Sequence, residues 1–263
     1  MQKKLVNNIS LIVLAKNEEI NIKSCLESLK WVGDIIVVDT GSTDGTMEVA
    51  KRYTDKVYSF PFNGSFAEVR NFGLSKVKSD WVLVLDADET LPADAQEKIN
   101  KLITSDEYDG YWFARRNYIN EKKYLKYGYF YPDFQLRLFK NTSNVSYCGK
   151  IHECLTIPKE KTKEVKDIEI FHNFSHTKYD SFFHFSRFYS YIRIEGKEIS
   201  RSNASDFYIL KESITLPLVH IWKSFIQKYG YKDGYAGLRA AVLWGMYEST
   251  RYLYALYVRI RKI

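Results

Sequence analysis

Continuous apolar runs alternate with segments of helical periodicity along the first ninety residues. We predict strands at 5–15, 34–39, 56–62 and 81–86, and helices at 18–32, 44–53 and 65–77. The runs at 34–39 and 81–86 lack polar alternation, which is typical of strands buried on both faces of a sheet. The strand-helix alternation therefore predicts an α/β fold in which helices cover both faces of a mostly parallel sheet.

The pattern changes after residue 92 and again near residue 178. A helix is predicted at 93–104, and strands are predicted at 108–120, 131–141, 149–158 and 165–173. Helical periodicity dominates from about 178 onward, where Trp, Tyr and Leu are mixed with Lys and Arg. We therefore expect an α/β domain over residues 1–177 and a basic, aromatic helical region over residues 178–263.

Three carboxylates follow a buried-strand pattern in the segment VLVLDADE. Asp86 and Asp88 are two residues apart, so both side chains point to the same face if this segment is extended. Asp39 also ends a predicted strand, and ligands of such sheets bind beyond the carboxyl ends of the strands. Carboxylates placed there favour Mg²⁺ or Mn²⁺, which bind oxygen ligands and keep positions open for phosphate. A solvated acidic strand end is the alternative interpretation.

Four ordered segments resemble a known family: LIVLAKNEEINIKSCLESL, DIIVVDTGSTDGT, FAEVRNFGL and WVLVLDADETLP. They resemble the nucleotide-binding half of the family 2 inverting glycosyltransferases, which have a GT-A fold. This resemblance covers about residues 8–92 and implies that residues 93–177 form the acceptor half. The later segments YPDFQLRLF and GKIHE are similar to those of small bacterial lipopolysaccharide-core β-1,4-glucosyltransferases. The implied fold is a mixed GT-A sheet with helices on both faces.

The resemblance implies roles for particular residues. Asp39 is expected to bond the uracil of a UDP-sugar, and Asp88 to bind Mg²⁺ or Mn²⁺. Asp86 is expected to contact ribose or metal-bound water, with His172 or His176 completing the metal site; we favour His172. The expected donor-binding set is Ala15, Asn17, Glu18, Asp39, Ser42, Asp44, Gly45, Arg70, Asn71, Asp86 and Ala87. The expected acceptor-binding set is Tyr129, Tyr131, Gln135, Arg137 and His152. For Arg70, which would lie close to the diphosphate, the alternative is a surface ion pair with Glu68 or Asp80.

Inverting transfer requires one carboxylate that takes the proton of the acceptor hydroxyl. Glu153 in GKIHEC and Asp133 in YPDFQLRLF are the two candidates. We favour Glu153 and expect that Asp133 binds acceptor or pairs with Arg137. An exposed strand-end acid is the alternative for Glu153.

The three cysteines, Cys25, Cys148 and Cys154, argue against a disulfide scaffold and favour a reducing cytosol. Cys148 and Cys154 flank His152, but the spacing matches no common zinc arrangement. We therefore expect these cysteines to be small buried hydrophobic residues.

The net charge of +7 is concentrated at the end of the chain, where residues 178–263 hold 14 Lys and Arg against 7 Asp and Glu. Such a segment can lie in the headgroup layer of an anionic membrane, or it can pack as a helical subdomain or a self-association element. The chain shows no signal-peptide pattern and no apolar stretch long enough to span a bilayer. No recognised nucleic-acid motif accompanies the charge. We expect a cytoplasmic protein, peripheral on the inner face of the plasma membrane.

The resemblance implies a metal-dependent, inverting glycosyltransferase with a UDP-sugar donor, of which UDP-glucose is the first guess. The expected acceptor is a lipid-linked or lipopolysaccharide-core saccharide. Two alternatives stay open: a peptide Ser or Cys glycosyltransferase of the same fold, and a non-catalytic module that binds nucleotide sugars or glycans. The intact carboxylates Asp86, Asp88 and Glu153 argue against the last of these.

Overall fold

A computed structural model describes residues 8–105, 107–120, 122–149, 153–172 and 188–262 of the chain. The described residues fall into two compact units. The first comprises those of Met1–Arg116 and Asp133–Ser175, and the second comprises those of Asn117–Pro132 and His176–Ile263. The segment Asn117–Pro132 therefore groups with the C-terminal helices rather than with the α/β unit that surrounds it in sequence.

A mixed β-sheet forms the centre of the first unit. Its strand order is β3-β2-β1-β4-β8-β6-β11-β5. Strands β1 to β4 pair in parallel, whereas β8 pairs antiparallel with both β4 and β6. The strands are β1 (Ile9–Ala15), β2 (Asp34–Asp39), β3 (Val57–Ser59), β4 (Trp81–Asp86), β5 (Glu89–Thr90), β6 (Gly110–Asn120), β8 (Asp133–Lys140) and β11 (Thr162–His172). The short strand β7 (Lys123–Tyr124) pairs with the end of β6 in the second unit.

Helices cover both faces of this sheet, as the sequence pattern predicts. The helices of this unit are α1 (Ile22–Ser28), α2 (Thr46–Ala50), α3 (Phe66–Leu74) and α4 (Ala95–Ser105). Leu11 and Val13 pack on one face with residues of α1 and α4, whereas Ile12 and Leu14 pack on the other face with residues of α3. Because successive side chains of a strand alternate between faces, β1 must be apolar at every position.

Local signals set the bounds of α3. Ser65 caps its N-terminus, where the Ser65 hydroxyl accepts a hydrogen bond from the N–H of Glu68 at 3.3 Å. Gly73 allows the helix to approach β1 closely, since a Cβ atom there would lie 2.9 Å from a side-chain carbon of Ile12. This close packing fixes the position of Arg70, one turn earlier on the same helix.

The predicted strand at 149–158 is largely absent among the described residues. Only β10 (Cys154–Leu155) forms within that range, and it pairs antiparallel with β9 (Tyr147–Cys148). The prediction that Cys148 and Cys154 are buried is wrong, because both are exposed, whereas Cys25 is buried. The reason is that this two-stranded pair is too short to carry a buried face of its own.

The second unit is mainly helical. It contains α5 (Tyr189–Arg201), α6 (Asp206–Trp222) and α7 (Tyr235–Arg261). Asp233 precedes α7, and its carboxylate accepts the backbone N–H groups of Lys126 and Tyr127 at 2.8 and 2.9 Å. These bonds tie the segment Asn117–Pro132 to the helices. Among the helices described, none combines the length and hydropathy that a bilayer-crossing segment requires.

Candidate active site

Three adjacent parallel strands end at the residues that the sequence singled out. Ala15 ends β1, Asp39 ends β2 and Asp86 ends β4. In the sheet register Ala15 lies opposite Asp39, and Leu14 lies opposite Asp86. Two strand spacings therefore separate the backbones of Asp39 and Asp86, which is roughly 10 Å. This distance suits one ligand that spans the carboxyl edge of the sheet.

Asp39 keeps one carboxylate oxygen available. Its Oδ2 atom accepts hydrogen bonds from the backbone N–H groups of Gly41 and Ser42, each at 3.0 Å. Its Oδ1 atom is buried and has no hydrogen-bond partner among the described residues. A buried acceptor without a partner costs about 1–3 kcal/mol, which a ligand N–H group would recover.

The loops that follow β1 and β2 are bonded to each other. Asn17, with a positive φ of 54°, donates its N–H to the Ser42 hydroxyl at 2.8 Å. The N–H of Glu18 donates to the Thr46 hydroxyl at 2.8 Å, and the N–H of Gly45 donates to Glu19 at 3.0 Å. Asp44 accepts the N–H groups of Glu19 and Thr46. Ser42, Asp44 and Gly45 thus shape the rim near Asp39 by holding these loops together.

Asp86 lies between two arginines. Its Oδ1 atom is 3.2 Å from Nη2 of Arg70, and its Oδ2 atom is 2.9 Å from Nη2 of Arg137. Burial alone would raise the pKa of Asp86, but the guanidinium groups of Arg137, Arg70 and Arg115 lower this pKa well below its ordinary value. Asp86 is therefore a carboxylate at any physiological pH.

Glu89 is a second anchor for the arginines and is fully buried. Its Oε1 atom lies 2.8 Å from Nη2 of Arg137 and 3.1 Å from Nη1 of Arg115, and its Oε2 atom accepts the N–H of Asp86 at 3.0 Å. Burial would lower the pKa of Arg137, but Glu89 and Asp86 raise it above its usual value. Arginines therefore neutralise two of the three acids of the DADE segment, Asp86 and Glu89.

Arg70 joins Asp86 to the candidate base Glu153. The Nε atom of Arg70 lies 2.7 Å from Oε1 of Glu153, which leaves the Glu153 side chain 16% exposed. The alternative pairing of Arg70 with Glu68 or Asp80 is not observed. The Nη1 atom of Arg70 is buried and has no hydrogen-bond partner among the residues described. The Nε and Nη2 atoms of Arg70 therefore bind the carboxylates of Glu153 and Asp86, while Nη1 remains a donor for a ligand.

Asp133, the other candidate base, has both oxygens occupied. Its Oδ2 atom accepts Nε and Nη2 of Arg115 at 2.8 and 2.7 Å, and its Oδ1 atom accepts Nε2 of Gln135 at 2.6 Å. The expected pairing of Asp133 with Arg137 is wrong, because Arg137 lies two residues further along β8 from Gln135 and bonds Asp86 and Glu89 instead.

Asp88 faces a different partner from Asp86. The backbone turns at residues 87–88 instead of remaining extended, so the expectation that both aspartates share one face is wrong. Ala87 is buried and donates its N–H to the carbonyl of Leu14 at 3.0 Å, which fixes this turn. Asp88 Oδ2 lies 3.4 Å from Nε2 of His172, where β11 pairs with β5.

The donor set at Asp88 can hold a divalent ion only together with ligands from outside the chain. Within the described residues, no group of three or more His, Cys, Asp or Glu side chains is arranged to hold a metal. Asp88 and His172 supply one carboxylate and one imidazole, both nearly buried. Two such ligands fit a Mg²⁺ or Mn²⁺ ion that takes its remaining ligands from a substrate's phosphates and from solvent. The two carboxylate oxygens of Asp86 form ion pairs with Arg70 and Arg137 instead.

Asn71 and Tyr147 link α3 to β9. The Asn71 side chain donates to the carbonyl of Tyr147 at 2.9 Å and accepts its N–H at 2.8 Å. The Tyr147 ring lies under the Arg70 guanidinium, 5.6 Å from its centre. Burial raises the pKa of Tyr147 to about 12. Asn71 therefore positions β9 beside Arg70, and both of its polar groups are engaged.

The remaining acceptor candidates are not part of the described first unit. Tyr129 and Tyr131 belong to the second unit, where Tyr129 packs against His220 and Tyr131 packs against Tyr124. His152 and His176 lie outside the described residues, so the structure does not place them.

Sequence reasoning did not place Arg115 or Tyr147 in this cluster, and it counted Glu89 only as the third carboxylate of VLVLDADE, without a role. Arg137 lies on β8, which pairs with the strand that ends in Asp86, and Arg115 lies on β6, one strand further; each arginine interrupts an apolar strand pattern. A cation at a core position beside acids is a signal for a buried ion-pair network.

The family model for glycosyl transferase family 2 matches residues 10–164, which is more than half of the chain. The chain belongs to this family. Its mixed sheet, covered by helices on both faces, confirms the predicted GT-A fold class.

Relatives of this family 2 chain match part of it. The lipopolysaccharide core biosynthesis glycosyltransferase LpsC of Rhizobium meliloti is 34% identical over 127 residues, which are 46% of this chain and 45% of LpsC. An uncharacterized glycosyltransferase of Rickettsia conorii is 36% identical over 112 residues, or 42% of this chain and 39% of that protein. The matches thus span less than half the length of these curated relatives.

Among solved structures, S. aureus TarS 1-349 in complex with UDP-GlcNAc is similar to 87% of this chain. The match covers 76% of the TarS chain, with 16% sequence identity and a TM-score of 0.47.

Proposed function

We propose that this chain is an inverting glycosyltransferase that moves a sugar, with glucose the first guess, from a UDP-sugar to a lipid-linked or lipopolysaccharide-core saccharide. The observation that carries the proposal is the double contact of Arg70. This residue holds the candidate base Glu153 and the strand-end carboxylate Asp86 at the edge of the sheet where donors of this fold class bind.

The free oxygen of Asp39 supports a uracil nucleotide as donor. Uracil presents one ring N–H, and Asp39 Oδ1 is a buried acceptor that has no partner among the described residues. Ala15 ends β1 opposite Asp39, and Asn17 and Glu18 follow in the next loop. The hydrogen bonds between this loop and the loop after β2 give the pocket at Asp39 a fixed rim. The Nη1 atom of Arg70, which has no hydrogen-bond partner in the described part of the chain, supplies a donor for a diphosphate oxygen.

The transfer is a single displacement. Glu153 takes the proton of the acceptor hydroxyl as that oxygen forms a bond to the anomeric carbon of the donor sugar. The bond from this carbon to the diphosphate oxygen breaks, UDP leaves with the electron pair, and the configuration inverts. Glu153 suits the role better than Asp133, because Arg70 bonds only its Oε1 atom, whereas Asp133 has both oxygens occupied.

Asp88 and His172 would hold the divalent ion, Mg²⁺ or Mn²⁺. When bound, such an ion supplies positive charge that stabilises the departing diphosphate. Arg70, Arg115 and Arg137 keep Asp86 ionised. Each Asp86 oxygen is bonded to one arginine and, with a second lone pair, is proposed to accept a ribose hydroxyl as well.

The acceptor class rests on the relative named for lipopolysaccharide core biosynthesis. Its name, together with the basic second unit, supports a saccharide carried by a membrane lipid and a location at the inner face of the plasma membrane. Gln135 and Arg137 of the first unit are proposed to contribute to acceptor binding. Tyr129, Tyr131 and His152 stay predictions from the sequence.

The test is release of UDP from a panel of UDP-sugars, with and without lipopolysaccharide-core acceptor. Glu153→Gln should lower the acceptor-dependent rate about 10²- to 10⁴-fold while UDP binding, measured by calorimetry, is retained. Asp133→Asn is the matched variant and should retain much more activity. Loss of activity in Asp133→Asn alone would transfer the base role to that residue. No turnover with any UDP-sugar, or transfer to Ser or Cys peptides only, would refute the proposed reaction or acceptor.

A further inference from the structure

Helix α6 carries an apolar stripe on its outer face. The stripe consists of Phe207, Leu210, Ile214, Leu218 and Trp222. These positions are three or four residues apart, so they form one face of the helix. Each side chain is between 46% and 79% exposed. A row of large exposed apolar side chains of this length marks an interaction surface.

Helix α7 carries a matching stripe. Its exposed members are Tyr235, Leu238, Val242, Met246, Leu253, Tyr257 and Ile260. The two helices run antiparallel, since Arg259 near the end of α7 bonds Asp206 at the start of α6 at 2.7 Å. At the middle of the pair, Gly245 of α7 packs against Pro217 and Ile221 of α6.

The two stripes lie on the same side of the helix pair. Val242 and Met246 are three positions before and one after Gly245, and Ile214 and Leu218 have the same offsets from Pro217. Successive side chains of a helix are rotated by about 100° around its axis. Because the offsets are equal, the stripe of each helix is turned by the same angle from the residue that contacts the other helix. Because the helices are antiparallel, equal rotations turn both stripes to one side. We call the two stripes together the α6–α7 face.

The charges around this face are of one sign. Three acids of this segment are used internally: Asp206 pairs with Arg259, Glu248 pairs with Arg251, and Asp233 accepts two backbone N–H groups. Glu212 is two positions from both Leu210 and Ile214, which places it on the opposite side of α6 from the stripe. The exposed lysines of the same segment are Lys211, Lys223, Lys228 and Lys232. Two copies of a cationic face repel each other, whereas an anionic bilayer complements both its charge and its apolar surface.

We propose that the α6–α7 face docks on the surface of an anionic lipid bilayer, with its apolar side chains in the headgroup layer and its lysines on the lipid charges. The inference deepens the membrane location proposed above by naming the surface and the lipid class. It does not depend on the reaction, because the face and its charges belong to the second unit.

The experiment is co-sedimentation of the full chain with vesicles of phosphatidylcholine alone or mixed with phosphatidylglycerol. The double variant I214S/L218S removes apolar groups from the centre of the face. Ile20→Ser is the matched control, since Ile20 is 70% exposed but lies in the first unit. We expect wild type and the control to pellet with mixed vesicles only, and I214S/L218S to partition at least about tenfold less. High salt should weaken the binding of wild type.

Three outcomes would overturn the proposal. The first is wild-type protein that stays in the supernatant with mixed vesicles, and the second is equal pelleting of I214S/L218S and Ile20→Ser. The third is a wild-type dimer in light scattering that I214S/L218S converts to a monomer without any vesicle binding, which would make the face a self-association surface. UDP release measured without vesicles separates these results from failure of the proposed reaction, because I214S/L218S should retain wild-type UDP release.

Discussion

Arg70 and Glu153 are 83 residues apart in sequence, yet the Nε atom of Arg70 lies 2.7 Å from Oε1 of Glu153. Arg70 is on α3, whose position is fixed by the close packing of Gly73 on β1, and Asn71 next to it holds β9. Helix α3, which lies between β3 and β4, therefore positions a carboxylate that follows β9 in the chain. This link is the basis for the first prediction.

Replacement of Arg70 by Lys should lower kcat more than it raises KM for the donor. A lysine cannot hold Glu153 and Asp86 at the same time, because it lacks the planar, forked guanidinium. We expect a loss in kcat of about 10²-fold from the misplaced base. Steady-state kinetics of Arg70→Lys, Glu153→Gln and the double variant measure it.

Arg52→Lys is the control for this series, since Arg52 is exposed in the same half of the chain. If Arg70 acts by positioning Glu153, the double variant should be no slower than Glu153→Gln. Fully additive losses would contradict this role.

Glu89→Gln should destabilise the fold by about 3–5 kcal/mol. Glu89 is fully buried and is a counter-ion for both Arg137 and Arg115, so that neutralising it leaves buried cations with fewer anions. The free energy of unfolding in urea measures the loss. Glu97→Gln removes an exposed helix pair with Lys101 and should leave the free energy of unfolding almost unchanged. Similar values for both variants would show that the buried network adds no stability.

The acids in VLVLDADE show where sequence reasoning succeeds and where it stops. Strand ends follow from local apolar runs, so β2 and β4 have the predicted bounds and their terminal aspartates lie at one sheet edge. The partners of Asp86 are Arg70 of α3 and Arg137 of β8, and the register of β8 is set by long-range pairing. The sequence therefore indicated that a cation was required but not that three arginines supply much of the charge.

The strand predicted at 149–158, around Glu153, was wrong for a related reason. Its apolar residues suggested a long strand, but among the described residues of this segment only Cys154 and Leu155 pair, with the short strand β9. A period-two pattern shows which residues favour a sheet, not whether a partner strand is available. Glu153 itself was identified as a candidate base from the resemblance. The contacts of Asp133 with Arg115 and Gln135, which the sequence does not reveal, make Asp133 the less suitable candidate.

Stability should fall more steeply in acid for wild type than for Asp86→Asn. The pKa of Asp86 is lower in the folded state than its unfolded value of about 3.9. The ionised Asp86 therefore contributes stability above about pH 4, and that contribution is lost as the pH falls further. Asp86→Asn should be less stable than wild type at pH 7, and the difference should shrink toward pH 3.

Free energies of unfolding from urea titrations at each pH test this prediction. Asp55→Asn, at an exposed position, is the control and should follow wild type. A constant difference between wild type and Asp86→Asn across this range would refute the assigned electrostatic role.

Removal of His172 should weaken binding of Mn²⁺ in the presence of UDP by about tenfold or more. His172 lies 3.4 Å from Asp88, and the two form the donor set that fits a divalent ion. Mn²⁺ titrations followed by electron paramagnetic resonance compare wild type with His172→Ala. Asp94→Asn, which breaks an exposed pair with Lys98, is the control. Unchanged affinity in His172→Ala, together with a loss in Asp86→Asn, would place the ion at Asp86 instead.

Two of the three thiols should react rapidly in the native protein. Cys148 and Cys154 are exposed on paired strands, with their Sγ atoms 2.9 Å apart, whereas Cys25 is fully buried under the sheet. Burial, followed by the charges of Glu89, Asp88 and Asp86, raises the pKa of the Cys25 thiol well above its usual value, so little thiolate is present. Titration with a chromogenic disulfide reagent should give two fast equivalents, and a third only after unfolding. Cys148→Ser should leave one fast equivalent, and a fast reaction of Cys25 in that variant would contradict its burial.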